Sequence, residues 1–380
     1  MNFLVEQYKK DNDLRINHNY LQQQFNDKEI ILEKISAMVS RGDFTLGQAV
    51  DDFEAAFARL QNVKHCIGVG SGTDALFLSL KALGVGPGDE VITTPFTFYA
   101  TIGAIVTAGA TPVFVDIGDD MNIQVDQIQE KITSKTRAIV PVHWSGKPCD
   151  MDKIQALANK FDLKIVEDAC HAINAEFCGE KMGYFCHAAA FSLHPLKNLN
   201  VWGDGGIICT NSDGLAEKLR LIRNHGLVGR DTCAEFSYNS RLDTLQAIVG
   251  SHLLNKIEDI TSARIGNANF LDSKLFDING IQLPRRDPVT TKQVFHIYSF
   301  LAEKRDELQK FLLSFGIDAK IHYPIPMHLQ PAAVNFGYNV GDFPNAERVS
   351  ASTISLPVHE FVTKTDLKFM IEKVRYFYGT

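Results

Sequence analysis

The chain reads as an α/β protein with a wide, mostly parallel sheet and a smaller C-terminal α+β domain. From about residue 65 to residue 210, short apolar runs, turn residues and helical patterns follow one another repeatedly, as in strands joined by crossover helices. After Asn239 the texture changes to long helical patterns, and a final segment alternates strand and helix on a smaller scale.

The elements follow in order. A mostly polar run from Gln22 to Asp27 precedes apolar positions Ile30, Ile31, Ile35 and Met38, which predict an amphipathic helix packed on the large domain or on a partner. Residues 1–41 are thus an N-terminal helical segment, 42–250 the large domain and 251–380 the small one. Candidate strands are Cys66 to Val69, Val91 to Thr94, Pro112 to Asp116, Ala138 to Val142, Lys164 to Val166, Ala189 to Leu193 and Ile207 to Thr210. Helices are expected at Asp74 to Leu83, closed by Gly84, at Met151 to Lys160 after a turn-forming stretch, and at Leu242 to Ile257. In the small domain Phe295 to Glu303 reads as a strand, Arg305 to Phe315 as a helix ending at Gly316, and Ile317 to His322 as another strand. No repeat, low-complexity stretch or long linker intervenes, so the two domains are expected to pack together.

Composition narrows the function. In 380 residues, 45% are hydrophobic and 22% charged, enough for an ordinary globular core. A net charge of −7 without a basic cluster argues against nucleic acid as a partner. The run from Met1 to Lys10 meets charged residues too early for a signal peptide, and no segment is long and apolar enough for a membrane helix. Seven cysteines without a Cys-x-x-Cys pair suit reduced thiols, so a cytoplasmic protein is expected. Cys170, His171, Cys178, Cys186, His187 and His194 cluster in sequence but lack the paired spacing of structural zinc, so no metal site is expected.

Three segments carry candidate chemistry. Gly68-Val69-Gly70-Ser71-Gly72-Thr73-Asp74 lies between a strand and a helix, where small residues let backbone amides approach a phosphate. It is only a weak variant of the dinucleotide fingerprint and lacks the Lys of a nucleotide-triphosphate loop, and a plain turn capped by Thr73 or Asp74 is the alternative. Glu167-Asp168 closes a strand at its carboxyl end, where ligands bind in open α/β sheets; a carboxylate there suits a protonated ring nitrogen, though it also suits a helix cap. Ser192-Leu193-His194-Pro195-Leu196-Lys197-Asn198 runs from a strand into a turn with a single lysine, a Schiff-base former if its charge is suppressed and otherwise a solvated surface charge.

Taken in order, these segments resemble the DegT/DnrJ/EryC1/StrS family of sugar aminotransferases, which depend on pyridoxal 5'-phosphate (PLP). Gly72-Thr73-Asp74-Ala75-Leu76, Pro95-Phe96-Thr97-Phe98, Glu167-Asp168-Ala169, Ser192 to Asn198, Gly203-Asp204-Gly205-Gly206, Asn239 to Asp243 and His322 to His328 carry the likeness over most of residues 40–360. The resemblance implies the type I, aspartate aminotransferase-like fold and a homodimer with active sites at the subunit interface. It implies that Lys197 binds the cofactor and moves the proton, that Asp168 faces the pyridine nitrogen, and that Phe98 lies on the ring. Gly72, Thr73 and Ser192 would bind the phosphate, Asn239 would reach it from the neighbouring subunit, and His322, Tyr323 and His328 would line the sugar pocket. One position departs: many members have Gln where this chain has His171, whose imidazole can still hydrogen-bond the cofactor's phenolic oxygen.

The implied reaction moves an amino group from L-glutamate to a keto or aldehyde sugar. A nucleotide-linked sugar destined for bacterial lipopolysaccharide or another surface polysaccharide is expected first. The alternative is an oxidised eight-carbon sugar acid of the Kdo type, giving 8-amino-3,8-dideoxy-octulosonate; its carboxylate would call for a cation, with Arg230, Arg241, Lys320 and Arg348 as candidates. Sugar dehydration, which uses His at the lysine position, is argued against by Lys197. From another class, a catalytically silent PLP- or sugar-binding regulator is disfavoured by the intact Lys197 and Asp168 and by the lack of a helix-turn-helix module.

Overall fold

A computed structural model describes residues 13–380, so the run from Met1 to Lys10 lies outside the described residues. Helix α1 (Lys28–Arg41) buries Ile31 and Met38, two turns apart on one face, and leaves Ile30, Leu32 and Val39 exposed. It ends on Gly42, whose left-handed φ of 68° lets its amide reach the carbonyls of Met38 and Val39. Helix α2 (Gln48–Gln61) follows and buries Val50, Phe53, Phe57 and Ala58.

Seven strands form the large sheet: β1 (His65–Val69), β2 (Glu90–Thr93), β3 (Thr111–Phe114), β4 (Thr136–Ile139), β5 (Lys164–Asp168), β6 (Ala188–Ser192) and β7 (Gly206–Thr210), in the order β1-β7-β6-β5-β4-β2-β3. Only β7 runs antiparallel to its neighbours, β1 and β6. All seven predicted strands are present, displaced at their ends by at most three residues. Period-two alternation divides their side chains between two cores. Cys66, Ala189, Phe191 and Cys209 face one side, with α1, α2, α5 (Met151–Phe161) and α7 (Thr244–Leu254). Ile67, Ala188, Ala190 and Ile208 face the other, with α3 (Gly72–Ala82), α4 (Tyr99–Thr107) and α6 (Asp213–Ile222). This is the doubly wound arrangement of the type I fold, in which ligands meet the carboxyl ends of the strands. No helix among the described residues is long and apolar enough to cross a membrane.

The helix expected from Leu242 to Ile257 is α7, two and three residues shorter at its ends, and α8 (Ile257–Leu275) follows it. Asn255, a poor helix former, caps the end of α7, and Lys256, whose Nζ lies 2.5 Å from Asp27, caps the start of α8. The smaller sheet is β8 (Ile281–Gln282), β9 (Tyr298–Ala302) and β10 (Thr353–Leu356), antiparallel throughout. Helices α8, α9 (Arg305–Ser314) and α11 (Lys364–Tyr378) share its core, while α10 (Pro344–Ser352) leads into β10. The strand predicted from Ile317 to His322 does not form a ladder. The Ile317 amide is taken by Leu312 at the end of α9, and the segment makes single bridges to Ile16 and Ser355. Its alternating pattern records burial of Ile317 and Ala319 in the small core rather than strand pairing.

The start of the phosphate-sized loop is fixed from α2. Buried Glu54 accepts the Gly68 amide at 2.7 Å and Arg223 Nη1 at 2.5 Å, and the same Arg223 nitrogen donates to the Gly68 carbonyl at 2.8 Å. Glu54→Ala leaves a buried guanidinium without its anion, and urea denaturation is expected to show a loss of roughly 3–5 kcal/mol.

Candidate active site

The carboxyl ends of β5 and β6 and the amino end of α3 meet at one place. Ser71 caps α3, its hydroxyl accepting the Asp74 amide at 3.0 Å, which corrects the alternative that Thr73 or Asp74 provides the cap. Asp74 instead accepts a hydrogen bond from Ser240 Oγ at 2.8 Å, and Ser240 also takes the Gly70 amide at 3.2 Å. Among the described residues the amides of Gly72 and Thr73 meet no acceptor, and both stand in the first turn, where the helix dipole favours an anion. A Cβ on Gly72 would stand 2.7 Å from that of Ser192 and 3.1 Å from the Cys170 sulfur. Only glycine therefore brings these amides beside the Ser192 hydroxyl, and the three donors make a cradle suited to a phosphate.

Asp168 closes β5 and is buried. Its Oδ2 accepts from Thr101 Oγ1 at 2.7 Å and its Oδ1 from the Cys170 amide at 3.2 Å, while Thr101 and Thr97 share a bond of 2.7 Å one helical turn apart. These bonds orient the carboxylate and leave it able to accept from a cationic ring nitrogen. Neither threonine was singled out from sequence, although their spacing of four on a helix start is the signal that pairs them.

Lys197 stands in the turn after β6, partly buried. Burial lowers its pKa from the ordinary lysine value, with Cys170 and Asp168 opposing. The lysine is thus neither a fully solvated surface charge nor a spent ion pair, and its burial favours the uncharged amine that a nucleophile needs. Tyr20 Oη donates to its carbonyl at 3.4 Å and Asn200 Nδ2 at 3.0 Å, which holds the turn.

Around this centre lie aromatic and imidazole rings. Tyr323 sits 5.3 Å from Trp144 and 5.8 Å from Phe98 between ring centroids, and burial raises its pKa well above the usual phenol value. Phe98 is 49% exposed, the state of a ring with one face open rather than a core phenylalanine. His171 is buried between Trp144 and His296, and burial pushes its pKa well below the ordinary value, helped by Lys197 and His322. His322 meets Ser355 Oγ at 3.1 Å, and burial lowers its pKa to about 4, so it is neutral near pH 7. His296 was missed by sequence reasoning; nothing in Phe295-His296-Ile297 marks it before the fold brings it to His171.

Two of the candidates lie apart from this cluster. His328 is buried, with Nε2 bonded to Glu347 at 3.1 Å and its ring against Phe343 at 4.7 Å, so its visible bonds serve the small lobe. Asn239 is exposed, bridged through its backbone to Asn224 beyond the hairpin of Leu227–Gly229 and Thr232–Cys233. Of the four candidate cations, Lys320 acts on His322 but is paired with Asp318 at 2.7 Å; Arg241 bonds Asn224, Arg348 bonds Gln282, and Arg230 is exposed in the hairpin turn.

The donors, carboxylate and lysine fit PLP: a phosphate cradle, an acceptor for the ring nitrogen and an amine whose pKa burial lowers. The sequence profile of the DegT/DnrJ/EryC1/StrS aminotransferase family matches residues 26–375. A pleiotropic regulatory protein of Geobacillus stearothermophilus is 41% identical, over 92% of this chain and 95% of its own. The dTDP-3-amino-3,4,6-trideoxy-alpha-D-glucose transaminase of Streptomyces venezuelae is 39% identical, over 90% of each chain. Among solved structures, S. venezuelae DesV in complex with a ketimine intermediate superposes with a TM-score of 0.94 at 36% identity, covering 97% of this chain and 99% of that one.

Gly72→Ala is expected to push α3 away from Ser192. The measurement is titration of the cofactor-free protein with PLP, where at least a tenfold loss of affinity, about 1.4 kcal/mol, is expected with the circular dichroism spectrum unchanged.

Proposed function

We propose that this chain, which belongs to the DegT/DnrJ/EryC1/StrS aminotransferase family and is a PLP-dependent aminotransferase, transfers the amino group of L-glutamate to the keto carbon of a nucleotide-linked sugar. The observation that carries this reading is Lys197, partly buried, with its pKa lowered by burial, within electrostatic reach of Asp168 and beside the phosphate cradle of Gly72, Thr73 and Ser192. Bound there, PLP supplies the electron sink through which an amino group passes from one carbon to another.

The side chains divide the work. The amides of Gly72 and Thr73 and the Ser192 hydroxyl hold the phosphate. Asp168, ordered by Thr101 and the Cys170 amide, would accept a hydrogen bond from a protonated ring nitrogen and favour its cationic form. Phe98 covers a ring face, with Tyr323 and Tyr99 extending the wall. Lys197 would hold the cofactor through its amine, with loss of water from the carbonyl, and when free the amine would take and return a proton at Nζ. Neutral His322 and Tyr323 offer hydrogen bonds rather than charge, which suits sugar hydroxyls. The nucleotide-linked substrate is drawn from the dTDP-sugar transaminase among the relatives, and the aminated product suits a bacterial surface polysaccharide such as lipopolysaccharide. Free cysteines throughout the described residues accord with a cytoplasmic enzyme.

A second copy completes the site in this reading. Val228 and Phe236 are 62% and 102% exposed and Leu227 and Tyr238 are also open, an apolar surface beside Asn239 that suits burial against a partner. Asn239 then serves the phosphate of the neighbouring site.

Borohydride reduction of the loaded protein is expected to fix one cofactor mass on the Lys197 peptide, and glutamate to bleach the cofactor's visible band; Lys197→Ala abolishes both. A wild type that binds no reducible cofactor at Lys197 sinks the reading. For the shared site, Lys197→Ala and Asn239→Ala chains, each defective alone, are mixed and allowed to re-associate. Random pairing then restores about a quarter of the wild-type sites. Absence of any recovery, with exchange of subunits shown by native mass spectrometry, removes Asn239 from the partner's site.

A further inference from the structure

Lys197 stands in a loop whose base is closed on the sheet. The Leu193 amide donates to the Gly205 carbonyl and the Val201 amide to the Leu193 carbonyl, both at 2.9 Å, so the chain leaves and rejoins the end of β6 at fixed points. Between them the Lys197 amide donates back to the His194 carbonyl at 2.8 Å and closes a turn. Two side chains hold the Lys197 carbonyl. Tyr20 Oη reaches it at 3.4 Å, long for such a bond, and Asn200 Nδ2 at 3.0 Å.

The shorter of these bonds continues into the N-terminal segment. Asn200 is fully buried, and the same Nδ2 donates to Gln24 Oε1 at 2.7 Å. A backbone carbonyl only accepts, so the group of Asn200 that meets Lys197 is its nitrogen, whose second hydrogen calls for the oxygen of Gln24. Gln24 is 5% exposed and ends the helical turn Leu21–Gln24, its amide bonded to the Tyr20 carbonyl at 3.0 Å. Its neighbour Phe25 meets the Trp202 ring edge-on at 5.5 Å, a second contact between the same two segments. Asn200 Oδ1 and Gln24 Nε2, at the other corners of the two amides, are buried without a partner. An unpaired buried amide group costs stability, and apolar side chains of similar size would avoid that cost. What the two amides secure is the place of the Lys197 carbonyl.

We propose that Gln24 and Asn200 are positioning residues for Lys197, one amide nitrogen hanging the lysine turn from the N-terminal segment so that the amine keeps its place beside the phosphate cradle. The inference deepens the PLP reading above and rests on it. A lysine side chain carries a displacement of its Cα to the amine, and proton transfer tolerates little of it: about 1 Å of misplacement costs on the order of a hundredfold in rate.

The test uses Gln24→Met and Asn200→Leu. Gln24→Met exchanges one unpaired buried N–H for another, so its thermal unfolding midpoint is expected within about 5 °C of wild type. In the cofactor-free protein, acetylation of Lys197 by acetic anhydride is followed against pH by mass spectrometry. Burial holds this amine below the ordinary lysine value, and a loosened turn admits water, so the inflection is expected to move up by about one unit in both variants. In the loaded protein, bleaching by glutamate is expected to slow about tenfold and its isotope effect with α-deuterated glutamate to grow, because the proton taken by Lys197 becomes the slow step. An unchanged inflection or an unchanged isotope effect in both variants overturns the proposal. A fall in the midpoint of Gln24→Met beyond that range makes the pair structural and overturns it as well. Loss of borohydride fixation at Lys197 in wild type overturns the PLP reading instead, and the acetylation profile, which needs no cofactor, still decides whether the two amides hold the lysine.

Discussion

The amino end of α3 lies so close to the carboxyl end of β6 that a Cβ on Gly72 would stand 2.7 Å from the Cβ of Ser192, and the other parts of the site take their positions from that contact. It is made possible by a second close approach, since a Cβ on Gly206 would meet the Ser71 carbonyl oxygen at 2.2 Å. Two glycines on adjoining elements thus bring a helix start, with its unpartnered amides, against the strand from which the chain turns to Lys197. The Ser71 cap and the Asp74–Ser240 bond then fix the direction of the first turn. Because Glu54 and Arg223 clamp both polar groups of Gly68, the loop that leads there begins from a fixed point as well.

Electrostatics explains why this place has chemical rather than structural value. A lysine beside a carboxylate would ordinarily form an ion pair, and the amine would be locked in its charged form. Here Asp168 spends one oxygen on Thr101 and the other on the Cys170 amide, and burial outweighs its pull on Lys197. The two groups remain separately available, one to a ring nitrogen and one to a carbonyl carbon. The surrounding imidazoles are held neutral by the same burial, so they add hydrogen-bonding capacity without adding fixed charge.

Much of this was legible in the sequence because local physics and global fold agree. The seven strands announce themselves as short apolar runs bounded by turn residues, and Gly84 ends α3 with φ of 82° as its position suggested. Asp168, Lys197 and the glycine loop were readable from their places at strand ends and helix starts. The misreadings share one cause, which is that burial has no unique sequence pattern. Ile317 and Ala319 alternate because the small core receives them, not because a strand pairs there. His328 looks like its neighbours His322 and Tyr323 in sequence, yet it turns to Glu347. The spacing of Thr97 and Thr101 pairs the two hydroxyls but does not point to Asp168, and His296 carries no local signal at all; only tertiary structure brings Thr101 to Asp168 and His296 to His171.

The N-terminal segment shows how the two lobes bear on the reacting group. Ile16 exchanges backbone bonds of 2.9 Å with Gly316 and Asp318 in the small lobe, and four residues later Tyr20 Oη donates to the Lys197 carbonyl while accepting Arg264 Nη2 at 2.6 Å. Arg264 belongs to α8 and also donates to the Phe295 carbonyl at 3.3 Å, next to His296, and faces Glu360 at 3.5 Å. One buried guanidinium therefore ties the lysine turn, the His296 segment and the small lobe into a single network. A phenol has one proton to give, so once Arg264 occupies its acceptor side, Tyr20 is left oriented as a donor toward Lys197. The lysine's backbone is thereby referenced to the small lobe as well as to the sheet, and the small lobe also shares in positioning the amine.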